Sequence, residues 1–470
     1  VEPNDVTAAA EAVRTGEVSA RELVEVSLER IDRGDGPLNA FVHLDPDGAL
    51  AAADRIDDAR RRGEDLAPLA GVPFGVKDLE DCAGMPTTRG SRWFADGPPA
   101  TGDDLHVERF RAAGAIPVGK TATPEFGAWG YTASPLLGVT RNPWDTDRTP
   151  GGSSGGTAAA VSAGFVPFAT ASDGGGSIRG PAASCGLPGL KPTYGRVPSH
   201  ATTRLAQNAV NFALATTVRD TALLLDVATG PHPLDRTSHP APGVRYTNAA
   251  EQIDVAGLRA TWTADLGFVV VDPEVERITA AAAEQLAGAA GLERRRPGPT
   301  FEDYILTYLF MEGADQFVDV PEDWADRLDE LDPLVVRGWE HSAATTLPTF
   351  ARVERNRRVV EQQVAELFEG TDLLLTPTNG CPPFPAEGPM PEVIGGRECH
   401  AGHAALLTML ANLANLPSIS LPAGSTADGL PVGLMVTAPR HREDLCLRIA
   451  RIWEQTHPWP RFAPGYPSQD

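Results

Sequence analysis

Lysine is nearly missing from the chain: only Lys77, Lys120 and Lys191 occur, against 37 arginines. A buried lysine can give up its proton and act as a base, which a guanidinium cannot, so each marks a candidate position where arginine will not serve. Packing alone is the competing reading for each. Positive charge is scarce overall, with 40 Lys and Arg against 63 Asp and Glu and a net charge of −23. That balance argues against nucleic-acid binding, which needs an excess of cations to neutralise phosphate. Cys82, Cys185, Cys381, Cys399 and Cys446 are widely spaced, with no C-x-x-C pair. They suggest neither a zinc site nor a disulfide framework, and fit a cytoplasmic compartment in which each is a small hydrophobe. No run of about 18 apolar residues exists to cross a membrane. The opening stretch VEPNDVTAAAEAVRTGEVS has neither a basic region nor an apolar one, so no export signal is expected. No tandem repeat is apparent, which disfavours a solenoid.

What is present is the composition of a folded protein: 470 residues, 42% apolar and 22% charged. Residues 5 to 32 read as two helices, with Asp5 capping the first, Gly16 ending it, and Ser19 with Glu22 forming a capping box for the second. A short strand over 39 to 44 and a charged helix over 48 to 62 follow. From 68 to about 196 charge thins out, and short apolar runs (GVPFGV, AIPVG, FVPFAT) alternate with glycine loops and Ala-rich helical text. This is the pattern of an α/β sheet core. A helix is expected over 215 to 228, then a Pro/His-rich surface loop, GPHPLDRTSHPAPG. Acidic and arginine-rich helices fill 250 to 370, and strand-like text returns at 372 to 377, 418 to 424 and 431 to 437, with the helix AALLTMLANLANL between.

Three segments carry the chemistry. In TPGGSSGGT, residues 149 to 157, small residues precede an Ala-rich helix and set Ser153 and Ser154 beside free helix amides that favour developing negative charge. A phosphate loop would need a lysine here, and none is present. In SDGGGSIR, residues 172 to 179, three successive glycines allow several amides to converge beside Ser177, as an oxyanion hole requires. It is not the G-x-S-x-G elbow of α/β-hydrolases. In GVPFGVKD, Lys77 ends a buried strand, where depressing its pKa toward neutrality makes a general base. Together these are a nucleophile, a relay and a base.

GVPFGVKD, PGGSSGGT and SDGGGSIRGPAASCGLPGLKPTYGRV closely resemble the amidase signature family, serine hydrolases with a Ser-cisSer-Lys triad, and Ser153 and Ser177 stand 24 residues apart as its motif demands. The resemblance is strongest from 68 to 196 and resumes in TTVRDTALLLDVATG and NLPSISLPAGSTADGLPVGLMV. It implies an α/β fold with a single large mixed sheet flanked by helices. One domain would span 1 to 470, with a helical N-terminal region (1 to 65), a catalytic core (68 to 200) and a variable helical region shaping the pocket (235 to 370). It further implies Lys77 as base, Ser153 after a cis bond from Gly152, Ser177 as nucleophile, and an oxyanion hole at Gly174, Gly175 and Gly176. Asp173 and Arg179 would brace the loop, with Ser154 as a hydrogen-bonding neighbour. The implied activity is cleavage of an amide C–N bond through an acyl-enzyme, without metal or organic cofactor.

The chain departs from the family pattern at Phe212, Ala213 and Thr216, where Gly, Pro and Arg are usual, and at Gly174, where a side chain is frequent. Both departures touch the substrate pocket. Trp129, Tyr131, Phe212, Tyr304 and Cys381 are its expected walls, along with Tyr308 and Phe310, and they favour a neutral apolar or aryl amide. Carbamate or ester cleavage is the alternative, because the same machinery acts on the carbonyl whatever leaves. Membership of an amidotransferase that acts on mischarged tRNA is a further one. His341, His400 and His403 lack the H-E-x-x-H spacing of a metal site. The expected partner is a small amide or carbamate, with no nucleic acid and no membrane; a homodimer is left open.

Overall fold

The computed structural model describes residues 5–200, 207–296, 298–316 and 324–467. The first four residues of the opening stretch, and positions 297 and 317–323 of the region expected to shape the pocket, lie outside the described residues. The N-terminal helices Val6–Thr15 and Ala20–Gly34 start and stop where their caps dictate. The Asp5 side chain accepts from the Ala8 amide, Gly16 takes a left-handed conformation, and Ser19 and Glu22 make a reciprocal capping box.

Five strands run in the order Phe41–Leu44, Ile116–Thr121, Pro73–Lys77, Phe168–Asp173, Val210–Ala215. Six more run in the order Glu293–Arg295, Arg259–Trp262, Leu373–Pro377, Pro431–Thr437, Ser418–Ser425, Gly189–Lys191. Strands Gly189–Lys191 and Val210–Ala215 lie against each other where the hydrogen bonding divides, so the mixed sheet is built in two halves. Helices flank both halves. Phe74 stacks on Phe168 at 4.9 Å, with Phe110 edge-on to Phe168 at 5.3 Å, an apolar cluster at the starts of the two central strands.

Strand Pro73–Lys77 pairs in parallel with Ile116–Thr121 and with Phe168–Asp173. Lys77, Ser172 and Asp173 therefore emerge together at carboxyl ends of neighbouring strands, the usual place for a site in such sheets. The helix expected from 215 starts later. Residues Val210–Ala215 form a buried strand antiparallel to Phe168–Asp173, and the helix Val218–Ala228 begins after Thr217, whose side chain caps Asp220. Alternation of apolar and small residues across NFALAT reads equally well in either form. Among the described residues no helix is long and apolar enough to cross a membrane.

Candidate active site

Lys77 is fully buried. Its Nζ lies 2.8 Å from Ser153 Oγ, 2.9 Å from Ser154 Oγ and 2.9 Å from Ser172 Oγ. An amine among three hydroxyls is solvated by groups that can each give or take a proton, which is how a buried nitrogen avoids the full cost of desolvation. The Lys77 amide donates to Thr170 Oγ1 (2.9 Å), tying the base to the adjacent strand. The Gly152–Ser153 peptide bond is cis. Helix Gly155–Ser162 starts immediately after Ser154, and its first turn is buried against the Ala122 backbone.

The glycine loop follows strand Phe168–Asp173. Asp173 is buried and forms a two-pronged pair with Arg179, with Nη2 to Oδ1 at 2.9 Å and Nε to Oδ2 at 3.0 Å. Burial alone would raise the carboxyl pKa, but the Arg179 guanidinium and the Asn412 amide overrule it and hold Asp173 well below the usual carboxylate range. The anion gathers the loop by accepting from the amides of Gly176 (2.8 Å) and Ile178 (3.1 Å).

Gly176 thus spends its amide on Asp173, which corrects the expectation that it points at a substrate oxygen. The amides of Gly174, Gly175 and Ser177 have no acceptor among the described residues. Gly176 itself has φ of 132°, a conformation side chains rarely adopt, and a Cβ on Gly175 would collide with the Tyr308 hydroxyl. Two of the three glycines are therefore fixed by sterics.

Helix Leu406–Leu413 backs this loop, an arrangement the sequence did not disclose. Thr408 Oγ1 lies 2.6 Å from both the Gly175 carbonyl and the Ala405 carbonyl, which share its one proton, and Asn412 Nδ2 donates to Asp173 at both its carbonyl (3.0 Å) and Oδ1 (2.9 Å). Arg179 reaches the same helix through Thr408 O (2.7 Å) and Asn412 Oδ1 (2.6 Å). Thr408 and Asn412 are one turn apart on one helix face. That periodicity was visible, but not its target.

Two cavities meet at Ser177. One, of about 740 Å³, is lined by Trp129, Ile305, Leu309, Val335, Cys381, Phe384, Met390 and Met409 among others, with His341 and His400 at its wall. The other, of about 390 Å³, is lined by Ser153, Ser172, Asp81, Asp104, Arg89, Asp315 and the aromatic rings of Trp93, Phe126 and Trp339. Gly127, Gly175, Ser177, Tyr308 and Glu312 line both.

Of the expected walls, Trp129 and Cys381 face a cavity, and so does Tyr308. Tyr131, Phe212 and Tyr304 do not line either. Tyr131 packs edge-on to Phe384, Phe212 sits in the sheet opposite Ala171, and Tyr304 is buried with its hydroxyl donating to Leu406 O at 2.9 Å. An aromatic residue fits core and cavity wall equally, so residue type could not separate them. Burial, with Glu312 and Asp173 nearby, raises the Tyr308 pKa well above that of an ordinary tyrosine, so it presents a neutral hydroxyl. Burial pushes the Cys381 thiol up to about 12, which makes it a wall rather than a nucleophile. The His400 and His403 rings lie 4.2 Å apart, tilted by 48°, and His403 Nδ1 accepts from the Val270 amide at 2.9 Å.

The family model named Amidase matches residues 22–447. An acylamidase of Rhodococcus erythropolis is 36% identical over 466 residues, covering 98% of this chain and 96% of the relative. One subunit of the glutamyl-tRNA(Gln) amidotransferase from Chloroflexus aggregans (strain MD-66 / DSM 9485) is 35% identical over 490 residues, covering 97% of this chain and 96% of the relative. Among solved structures, a bacterial aryl acylamidase of the amidase signature enzymes superposes with a TM-score of 0.90 at 27% identity, covering 97% of this chain and 96% of that one. The chain belongs to the amidase family and is a hydrolase of carbon–nitrogen bonds other than peptide bonds.

Proposed function

We propose that the protein hydrolyses neutral, apolar or aryl amides through an acyl-enzyme on Ser177, with Ser153 as relay and Lys77 as base. The observation that carries this reading is the 2.8 Å contact of Lys77 Nζ with Ser153 Oγ on the wall of a cavity that Ser177 shares. Neutral Lys77 takes the Ser153 proton as Ser153 takes that of Ser177, whose oxygen attacks the carbonyl carbon. The charge that develops on the carbonyl oxygen meets the amides of Gly174, Gly175 and Ser177, held in place before reaction. Ser153 then protonates the departing nitrogen, and water, activated by the same relay, releases the acid. Gly152, Ser154, Asp173 and Arg179 support this geometry. The apolar lining of the larger cavity favours hydrophobic substrates, since burying apolar ligand surface yields about 25 cal/mol per Å².

An apolar anilide or alkyl amide should therefore be cleaved with a higher kcat/KM than glutamine, asparagine or malonamide, and Ser177→Ala should abolish both activities. The reverse order in a side-by-side assay would contradict the apolar reading. A carbamate or ester of the same shape presents the same carbonyl, and including both in the screen ranks the leaving groups. The 35% identity to an amidotransferase component supports a second reading, as part of a complex supplying ammonia to mischarged tRNA. The solved amidotransferase component from Thermotoga maritima superposes less well, at a TM-score of 0.76, and the −23 charge disfavours tRNA as a partner. Purification with companion subunits would favour that second reading.

A further inference from the structure

Ser153 lines the smaller cavity and not the larger, whereas Ser177 lines both. We infer that the two cavities divide the substrate at its scissile bond: the larger holds the acyl half, and the smaller receives the amine half. The inference rests on the acyl-enzyme reading above. When the tetrahedral intermediate collapses, the oxyanion electron pair re-forms the carbonyl. The carbon–nitrogen bond breaks with its electron pair going to nitrogen, and that nitrogen takes the Ser153 hydroxyl proton, which the Lys77 ammonium replaces. The nitrogen must therefore lie on the Ser153 side of Ser177, and the acyl substituent, on the other side of the same carbon, is left to the larger cavity.

The two chambers differ in chemistry as the two halves then must. The acyl chamber is apolar, walled by Leu309, Val335, Phe384 and Met409, and at about 740 Å³ it suits a drug-sized apolar group. Among the described residues, the carboxylates of Glu80, Asp81, Asp104 and Asp315 line the amine chamber and not the acyl chamber, beside Arg89 and His200. The substrate class is thus the amide of a bulky apolar acid with a compact amine, and an amine half that carries a second, protonated nitrogen is favoured over one that carries a carboxylate.

The test is a pair of isomers in which the amide is reversed: the decanoyl amide of ethylenediamine and the nonylamide of β-alanine, with the decanoyl amide of β-alanine as the anionic third. The decanoyl amide of ethylenediamine should exceed its isomer by about tenfold or more in kcat/KM, and should also exceed the β-alanine derivative. Leu309→Glu should lower kcat/KM for the decanoyl amide more than for the acetyl amide of ethylenediamine. Equal rates, the reverse order, or hydrolysis of neither isomer by enzyme that still reacts with a fluorophosphonate at Ser177 overturns the inference. Loss equal for both acyl lengths in Leu309→Glu overturns it too. An enzyme that takes no label at Ser177 instead brings down the acyl-enzyme reading on which it stands.

Discussion

At the scale of single residues the scarcest side chain was the most informative. Lys77, Lys120 and Lys191 are all buried, and each is held by oxygens: Lys77 by three serines, Lys120 by Glu80 O (2.6 Å) and Thr87 Oγ1 (2.9 Å), Lys191 by Pro192 O (3.0 Å). Only Lys77 meets hydroxyls that lead to a cavity serine. A compact amine fits among three Oγ atoms where a planar guanidinium does not, and it can be neutral. Lys77→Ala should lower kcat by about ten-thousand-fold, the scale seen when a member of such a unit is removed. Lys77→Arg should not restore it, and the wild-type rate should fall toward acid pH as the base is protonated. An arginine variant near the wild-type rate would reduce Lys77 to a structural role. Lys77, Ser153 and Ser177 were legible in the sequence as candidates because they sit in short glycine-rich stretches whose spacing is itself the signal, and the structure brings Lys77 and Ser153 within 2.8 Å. It could not say that the Gly176 amide goes to Asp173, because that depends on the loop closing around the anion.

At the scale of elements, helix Leu406–Leu413 clamps a single peptide unit of the glycine loop. Thr408 holds the Gly175 carbonyl while Asp173, itself held by Asn412, takes the Gly176 amide. With that plane fixed, the amides of Gly175 and Ser177 on either side of it have no acceptor among the described residues, and in the proposed mechanism they are the donors held ready for the oxyanion. Thr408 is accordingly a positioning residue. Thr408→Val should cut kcat by about tenfold to a hundredfold with little change in KM, and Thr408→Ser should recover most of it. A loss in KM alone, or no recovery with serine, would show that Thr408 merely fills space. These contacts span more than 200 positions, and nothing in AALLTMLANLANL but its helical period marks them. The helix itself was readable; what it holds was not. The same division explains Phe212, packed into the core by its strand, and Tyr131 and Tyr304, buried from the connecting segments beside their neighbouring elements.

At the scale of the whole molecule, the mixed sheet with flanking helices was foreshadowed by apolar runs between glycine loops. The short strands Gly189–Lys191, Arg259–Trp262 and Glu293–Arg295 were not, being too brief to carry a period. Lys191 ends the first of these at the seam between the half-sheets. Burial and the nearby Arg179 guanidinium lower its pKa to about 7, against the attraction of Asp173 and Glu443. Between about pH 7 and the ordinary lysine value near 10.4 the unfolded chain therefore binds more protons there than the folded one, so this contribution to stability rises with pH across that window. Replacing the amine with an uncharged chain, Lys191→Met, should raise Tm relative to wild type more at pH 7 than at pH 10. A difference that does not change with pH would show that Lys191 is not neutralised by folding.

The covalent step itself is open to direct measurement by reacting the protein with a fluorophosphonate and mapping the label by peptide mass spectrometry. Ser177 should carry the label, Ser177→Ala should take none and hydrolyse no amide, and Lys77→Ala should label far more slowly than wild type. Label on Ser153, or amide hydrolysis that survives Ser177→Ala, would contradict Ser177 as the nucleophile.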